Sequence, residues 1–173
     1  LKKILLISDS HGWLDEKLIK HIKNCDEVWH AGDIGNIKFC KNIESLKPFK
    51  AVYGNIDGHD LRSQFGENEC FSCEEVKVVM THIGGSPGKY PARVKDLLNI
   101  HKPNIYIAGH SHILKVIYDH QFQLLHLNPG ACGIQGFHQV KTALRFEINT
   151  KEIKNLEIVE FGKRNEQSKN VNL

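Results

Sequence analysis

Five times along this chain a short apolar run halts, at a glycine or directly, beside residues able to hold a proton or a metal. "KKILLIS" stops at Asp9 and His11, "EVWHAG" at Asp33, "FKAVYG" at Asn55, "VKVVMT" at His82, and "NIYIAG" at His110 and His112. Runs of this length and composition read as strands covered on both faces. Helical periods separate the first three: Leu14, Leu18, Ile19 and Ile22 share one stripe of "LDEKLIKHIKN" at 14–24, and "NIKFCKNIESL" at 36–46 is stopped by Pro48. The first third is therefore βαβαβ, an order that favours parallel strands joined by right-handed crossovers. Ligands of open α/β sheets collect beyond the carboxyl ends of such strands, where all seven polar residues sit.

The rhythm changes after residue 65. "FGENECFSC" and "EEVKVVMTH" predict a hairpin, "IGGSPGKYP" a loop, 92–101 a helix, and 104–109 a strand. Four further β runs, "ILKVIYD", "QFQLLHL", "KTALRFEI" and "EIKNLEIVEF", predict an antiparallel meander. With neither an internal repeat nor a linker, the expectation is one α/β domain over 1–162 followed by a polar tail at 163–173.

The 173 residues are 40% hydrophobic and 25% charged, ordinary globular usage. A net charge of +3 with scattered Lys and Arg gives no basic stripe, so nucleic acid enters only as a candidate substrate. The opening segment is too short and too charged for a membrane span or signal peptide, and five Cys form an odd set. Together they predict free thiols, a cytoplasmic location and no membrane. "CFSC" at 70–73 has metal-like spacing but no second thiol pair, and reads as strand cysteines.

Taken singly, D-x-H, G-D and G-N are turn and cap signals, because these residues bond nearby backbone or tolerate left-handed conformations. "GHSH" at 109–112 is more demanding, since two imidazoles so close repel when protonated and a metal would hold them neutral. Two carboxylates, one amide oxygen and four imidazoles form a mixed O/N set suited to Mn, Zn, Fe or Ni. Seven ligands exceed one four-coordinate ion. They match two divalent metal ions sharing a carboxylate, with positions left for water and substrate.

The ordered motifs "DSH" (9–11), "GD" (32–33), "GN" (54–55), "TH" (81–82) and "GHSH" (109–112) resemble those of calcineurin-like metallophosphoesterases. The short chain, "GNID" and "NPGA" at 128–131 are similar to the small YfcE-type phosphodiesterase branch, which includes the retromer scaffold subunit. The resemblance covers about residues 2–160 and implies a two-sheet β-sandwich of mixed sheets flanked by helices. It implies one ion on Asp9, His11 and His112, a second on Asn55, His82 and His110, and Asp33 as the bridge. A bridging water made acidic by the ions would attack a phosphodiester, with Asp33, Asn55 and His110 as catalytic residues.

Ile56 stands where many relatives carry a His that protonates the leaving group; Asp57 and His59 lie nearby, with turn or capping roles the simpler reading. The alternatives are a non-catalytic interaction module on the same scaffold, or a phosphomonoesterase or nuclease. His30 reads equally as a brace for Asp33 or as a buried, satisfied ring; the Gly-rich loop flanked by His126 and His138 is a lesser candidate for lining the cleft, and Lys89 and Tyr90, candidates for phosphate or base contacts, read more simply as exposed loop residues. Exposed meander strands leave room for a homodimer or homotetramer.

Overall fold

The computed structural model describes residues 1–165 and 169–171. Its first part alternates as expected: β1 (Lys2–Ile7), α1 (Glu16–Lys23), β2 (Glu27–His30), α2 (Ile37–Glu44) and β3 (Phe49–Ala51). Both helices begin two residues or less inside their apolar periods because a side chain caps them. The Asp15 carboxylate accepts from Lys17 N at 2.8 Å and the Asn36 amide oxygen from Phe39 N at 2.9 Å. A short helix not foreseen from the sequence, α3 (His59–Gln64), follows the "GNID" loop; it buries only Leu61 and so carries no apolar stripe.

The remainder comprises β4 (Asn68–Cys73), β5 (Val76–Thr81), α4 (Ala92–His101), β6 (Ile105–Ile107), β7 (Lys115–Asp119), β8 (Leu124–Asn128), β9 (Val140–Asn149) and β10 (Glu152–Lys163). The strands form two mixed five-stranded sheets, ordered β10-β9-β1-β2-β3 and β4-β5-β6-β8-β7. The last four strands do not make one meander. β7 and β8 pair in the second sheet, where β8 also runs parallel to β6, whereas β9 and β10 pair in the first. The chain changes sheets at "NPGA", where Gly130 takes a φ of 73°, and a Cβ there would lie 2.2 Å from Thr142 Oγ1.

Alternation along each strand separates three apolar layers. Leu5, Ile7 and Val28 face Leu18, Ile22, Phe39 and Ile43 of the helices over the first sheet. Ile4, Leu6, Trp29 and Phe146 instead meet Val78, Met80, Ile107 and Leu127 between the sheets. Trp29, fully buried, sets its ring edge-on to Phe71 at 4.9 Å and Phe146 at 5.7 Å. Val79, Tyr106 and Leu124 pack beneath α4, and Tyr90, read more simply as an exposed loop residue than as a substrate contact, is instead part of this layer at 5% exposure.

Cys70 is exposed and Cys73 buried on one strand, and all five thiols are free. Part of the expected 163–173 tail, 166–168 and 172–173, lies outside the described residues. Its described portion meets the loop before α1: Leu14 N donates to Asn170 Oδ1 at 3.0 Å and Val171 N to Leu14 O at 2.9 Å. Next to that contact Lys141 and Asp15 form a fully buried ion pair.

His126, fully buried on β8 against Tyr106 and Tyr90, faces the α4 layer rather than the cleft. Burial lowers its pKa to about 4 against about 6.5 in an unfolded chain. The unfolded state then binds more protons between those values, so stability is complete above about pH 6.5 and is lost as pH falls toward 4. Urea unfolding of His126→Gln should show a shallower pH dependence across that window than the unsubstituted chain, by on the order of 3 kcal/mol. Parallel curves would show that His126 does not contribute.

Candidate metal centre

The carboxyl ends of β1, β2, β3, β5 and β6 open at one edge of the sandwich, and backbone hydrogen bonds stitch their loops together. Asp9 N donates to Gly32 O and His11 N to Asp33 O, joining the first two loops of one sheet; Gly109 N donates to His82 O, joining two of the other. Cys132 N and Gly133 N reach Ser8 O and Asp9 O, so the "NPGA" loop closes against the first. Asn128 adds a side-chain brace, donating to Gly109 O at 2.9 Å and Ser111 Oγ at 3.1 Å.

This stitching gathers the polar residues into two groups. Ligand atoms of Asp9, His11 and His112 all lie within 4.8 Å of one another, as do those of Asp33, His82 and His110. Asp33 faces both: its Oδ1 is 3.2 Å from His82 Nε2 and its Oδ2 3.7 Å from His11 Nε2. Asn55 joins the second group, with Oδ1 3.1 Å from His82 Nε2. All seven residues named from the sequence are thus at one place.

Five of them hold a left-handed backbone: φ is 55° at Asp9, 48° at His11, 54° at Asp33, 64° at His110 and 56° at His112. Each such conformation costs on the order of 1 kcal/mol for a residue with a Cβ. Concentration of that strain on the polar residues marks a site that its surroundings hold in place.

The side chains are oriented as well as gathered. His82 Nδ1 donates to Ala31 O at 2.7 Å, which turns Nε2 toward Asp33 and Asn55. Asp9 Oδ2 accepts from Ser8 Oγ at 2.6 Å and His110 N at 3.2 Å. Its Oδ1, like His11 Nε2, is buried with no hydrogen-bond partner among the described residues. Unsatisfied buried acceptors are costly, and these two point at one spot beside His112, so the donor set fits a divalent cation.

Charge follows the geometry. Burial works to raise the Asp33 carboxyl pKa, but the hydrogen bond and charge of His82, then Ile56 N–H and His11, hold it below the usual carboxylate range. His82 in turn is raised despite burial, through Asp33, Asp9 and the Ala31 carbonyl.

The neighbouring candidates take the simpler of the roles open to them. Asp57 is 2% exposed and its carboxylate accepts from Ile34 N, Gly35 N and Gly54 N, a loop brace rather than a free acid. His59 begins α3 and is exposed, and Lys89 is exposed. His30 contacts Gly32 and Ser10 instead of Asp33: Nδ1 accepts from Gly32 N at 3.1 Å and Nε2 lies 2.8 Å from Ser10 Oγ. Burial pushes its pKa down to about 4, so it braces those loops as a neutral ring.

Ser8, Asn128 and Arg164 escaped sequence reasoning. Arg164, 7% exposed, has three side-chain nitrogens without hydrogen-bond partners among the described residues. A Cβ on Gly136 would lie 2.2 Å from His112 Nδ1 and 2.6 Å from Arg164 Nη1, so only glycine passes between them. No local pattern signals a contact formed so far along the chain.

Residues 3–151 match the model of the calcineurin-like phosphoesterase superfamily domain, and the chain belongs to that superfamily. A predicted phosphoesterase from Streptococcus pneumoniae is similar in structure, with TM-score 0.70, 21% identity, and coverage of 97% of this chain and 95% of that one. Vps29 from Entamoeba histolytica in complex with Zn²⁺ gives TM-score 0.70 at 17% identity, covering 94% and 99%. A structure described as a novel archaeal phosphodiesterase gives 0.66 at 21%, covering 92% and 99%. A search among curated proteins finds no match.

Gly54 tests how tightly the site is built. A Cβ there would lie 2.1 Å from Asp33 Oδ1 and 2.2 Å from Asp33 N, and backbone cannot yield cheaply. Gly54→Ala should lose roughly 2 kcal/mol or more in denaturant unfolding, whereas Gly58→Ala, with nothing within 4 Å, should stay within about 0.5 kcal/mol. Equal effects would mean that Asp33 is not held by close packing.

Proposed function

We propose that the chain is a dinuclear metal-dependent phosphodiesterase. The observation that carries this reading is Asp33, whose two carboxylate oxygens each face a different ligand group. Asp9, His11 and His112 would hold one ion, Asn55, His82 and His110 the other, with Mn, Zn, Fe or Ni suited to these donors. Such a pair supplies Lewis acidity that makes water nucleophilic near neutral pH and offsets phosphoryl charge.

The chain's own residues do the rest. Ser8 and the His110 N–H fix Asp9 so that Oδ1 faces inward, and the Ala31 carbonyl selects the His82 tautomer that binds through Nε2. Ile56 N donates to Asp33 Oδ1 at 3.1 Å, keeping the shared carboxylate ionised and oriented. The two positions that follow Asn55 supply no acid: Ile56 is apolar and 46% exposed, and Asp57 is committed to three backbone N–H groups. Leaving groups must therefore depart as stable anions, which favours aryl esters. Ile56, Ile83 and Ile113, each following a residue of the site and each more than 40% exposed, give the rim an apolar character that suits such esters.

A non-catalytic interaction module on the same fold is the competing reading. The complete, strained donor set, in which Asp9 Oδ1 and His11 Nε2 lack hydrogen-bond partners among the described residues, supports the phosphodiesterase reading over that one. Among the described residues no helix is long and apolar enough to cross a membrane, and five free thiols fit a reducing, cytoplasmic setting.

Elemental analysis should find about two ions per chain, as dinuclear sites require, and Asp33→Asn should lose metal together with at least about a hundredfold of hydrolysis of bis(p-nitrophenyl) phosphate. Full activity of the metal-free chain overturns the proposal. Across a series of aryl esters the rate should fall steeply as leaving-group pKa rises; a flat series would reveal a general acid.

A further inference from the structure

Beside the second ligand group the surface opens into a cavity of about 210 Å³. Asn55 and His82 form one wall; Tyr53, Arg62, Glu67, Ile83 and Arg93 form much of the rest. At about 30 Å³ per water, this is room for roughly seven waters, more than a phosphoryl group fills. An occupant attached to a phosphorus at the metal centre would bring an organic group into it.

The lining narrows what that group is. Arg62 is pinned, its Nε donating to Asp57 O at 2.6 Å and Nη2 lying 3.4 Å from both Gly54 O and Asn55 O. Its guanidinium lies over the Tyr53 ring at 4.5 Å, and it makes no ion pair with a carboxylate among the described residues. Arg93 is engaged, with Nη1 3.6 Å from Glu67 Oε1 and Nη2 on Ile83 O. A second phosphate would face the Glu67 carboxylate, and an alkyl chain would desolvate two guanidiniums without return. A planar heterocycle answers both, because guanidinium planes and phenol rings stack bases while a carboxylate accepts from N–H or O–H groups.

We propose that this cavity binds the nucleoside portion of a nucleotide ester, with Arg62 and Tyr53 as specificity-determining residues. The assignment rests on the phosphodiesterase reading for the phosphate end of the substrate. Neither residue acts on the reacting atoms; they set which ester group is held.

Calorimetry on the Mn²⁺-loaded full chain with AMP, ribose 5-phosphate and inorganic phosphate tests it, because the first two differ only by the base. AMP should bind about tenfold or more tightly than ribose 5-phosphate, as expected for one stacked base. Arg62→Ala should bring that ratio to within about threefold, and so should Ile83→Trp, which fills the cavity without touching the pinned loop. Arg62→Lys keeps the charge but not the plane and should lose most of the preference. Equal affinities for AMP and ribose 5-phosphate in the unsubstituted chain, or a ratio that none of these variants moves, overturns the proposal. A chain that hydrolyses no ester but keeps an Arg62-dependent preference for AMP leaves this site standing and overturns the phosphodiesterase reading alone.

Discussion

The hydrogen bond from His82 to the Ala31 carbonyl crosses from the second sheet to the first at the edge where both sets of loops end. It joins the sheets and chooses which imidazole nitrogen faces Asp33. Without it the two halves of the sandwich would still share their apolar layer, but the His82 ring would not be held against Asp33. Close packing makes this bond sufficient: a Cβ on Gly32 would lie 2.5 Å from His82 Nδ1, and one on Gly109 would lie 2.2 Å from Ser8 Oγ. Glycines at these strand ends let the backbones approach until ligand side chains from separate sheets meet.

That closeness has an energetic cost, and its location is informative. Five site residues in left-handed conformations together cost on the order of 5 kcal/mol, a large fraction of a domain's usual net stability. Three apolar layers offset it, since each fully buried Leu, Ile or Val contributes roughly 1.5–3 kcal/mol. Strain at the loops and burial beneath them are therefore coupled. The core holds the loops where a free chain would not go, and the site exists because the core is strong.

The seven site residues were legible because each ends an apolar run, a pattern that depends only on local sequence. The parallel first half was legible for the same reason, as short apolar runs and helical periods alternate through residue 51. The split of the last four strands between sheets was not. "ILKVIYD" and "KTALRFEI" look alike in period, and only the Gly130 turn against Thr142 sends the chain back to the first sheet. α3 was missed because a six-residue helix burying a single leucine has almost no periodic signal. At Asp57 the turn or capping role is the simpler reading, and three backbone N–H groups from two loops take up its carboxylate.

Those same three bonds separate the part of the site that holds charge from the part that reads shape. Asp57 fixes the turn from Gly54 through α3, so Asn55 is presented to the candidate metal centre on one side while Arg62, from the helix that follows, is laid over Tyr53 on the other. The left-handed loops tolerate little change, because their glycines and ligands are in contact with backbone. Most of the cavity wall is built from residues with side chains. Ile83 and Arg93 lie on that wall away from the Gly54–Asp57 turn, whereas Arg62 belongs to both, since its guanidinium also bonds the Asp57, Gly54 and Asn55 carbonyls.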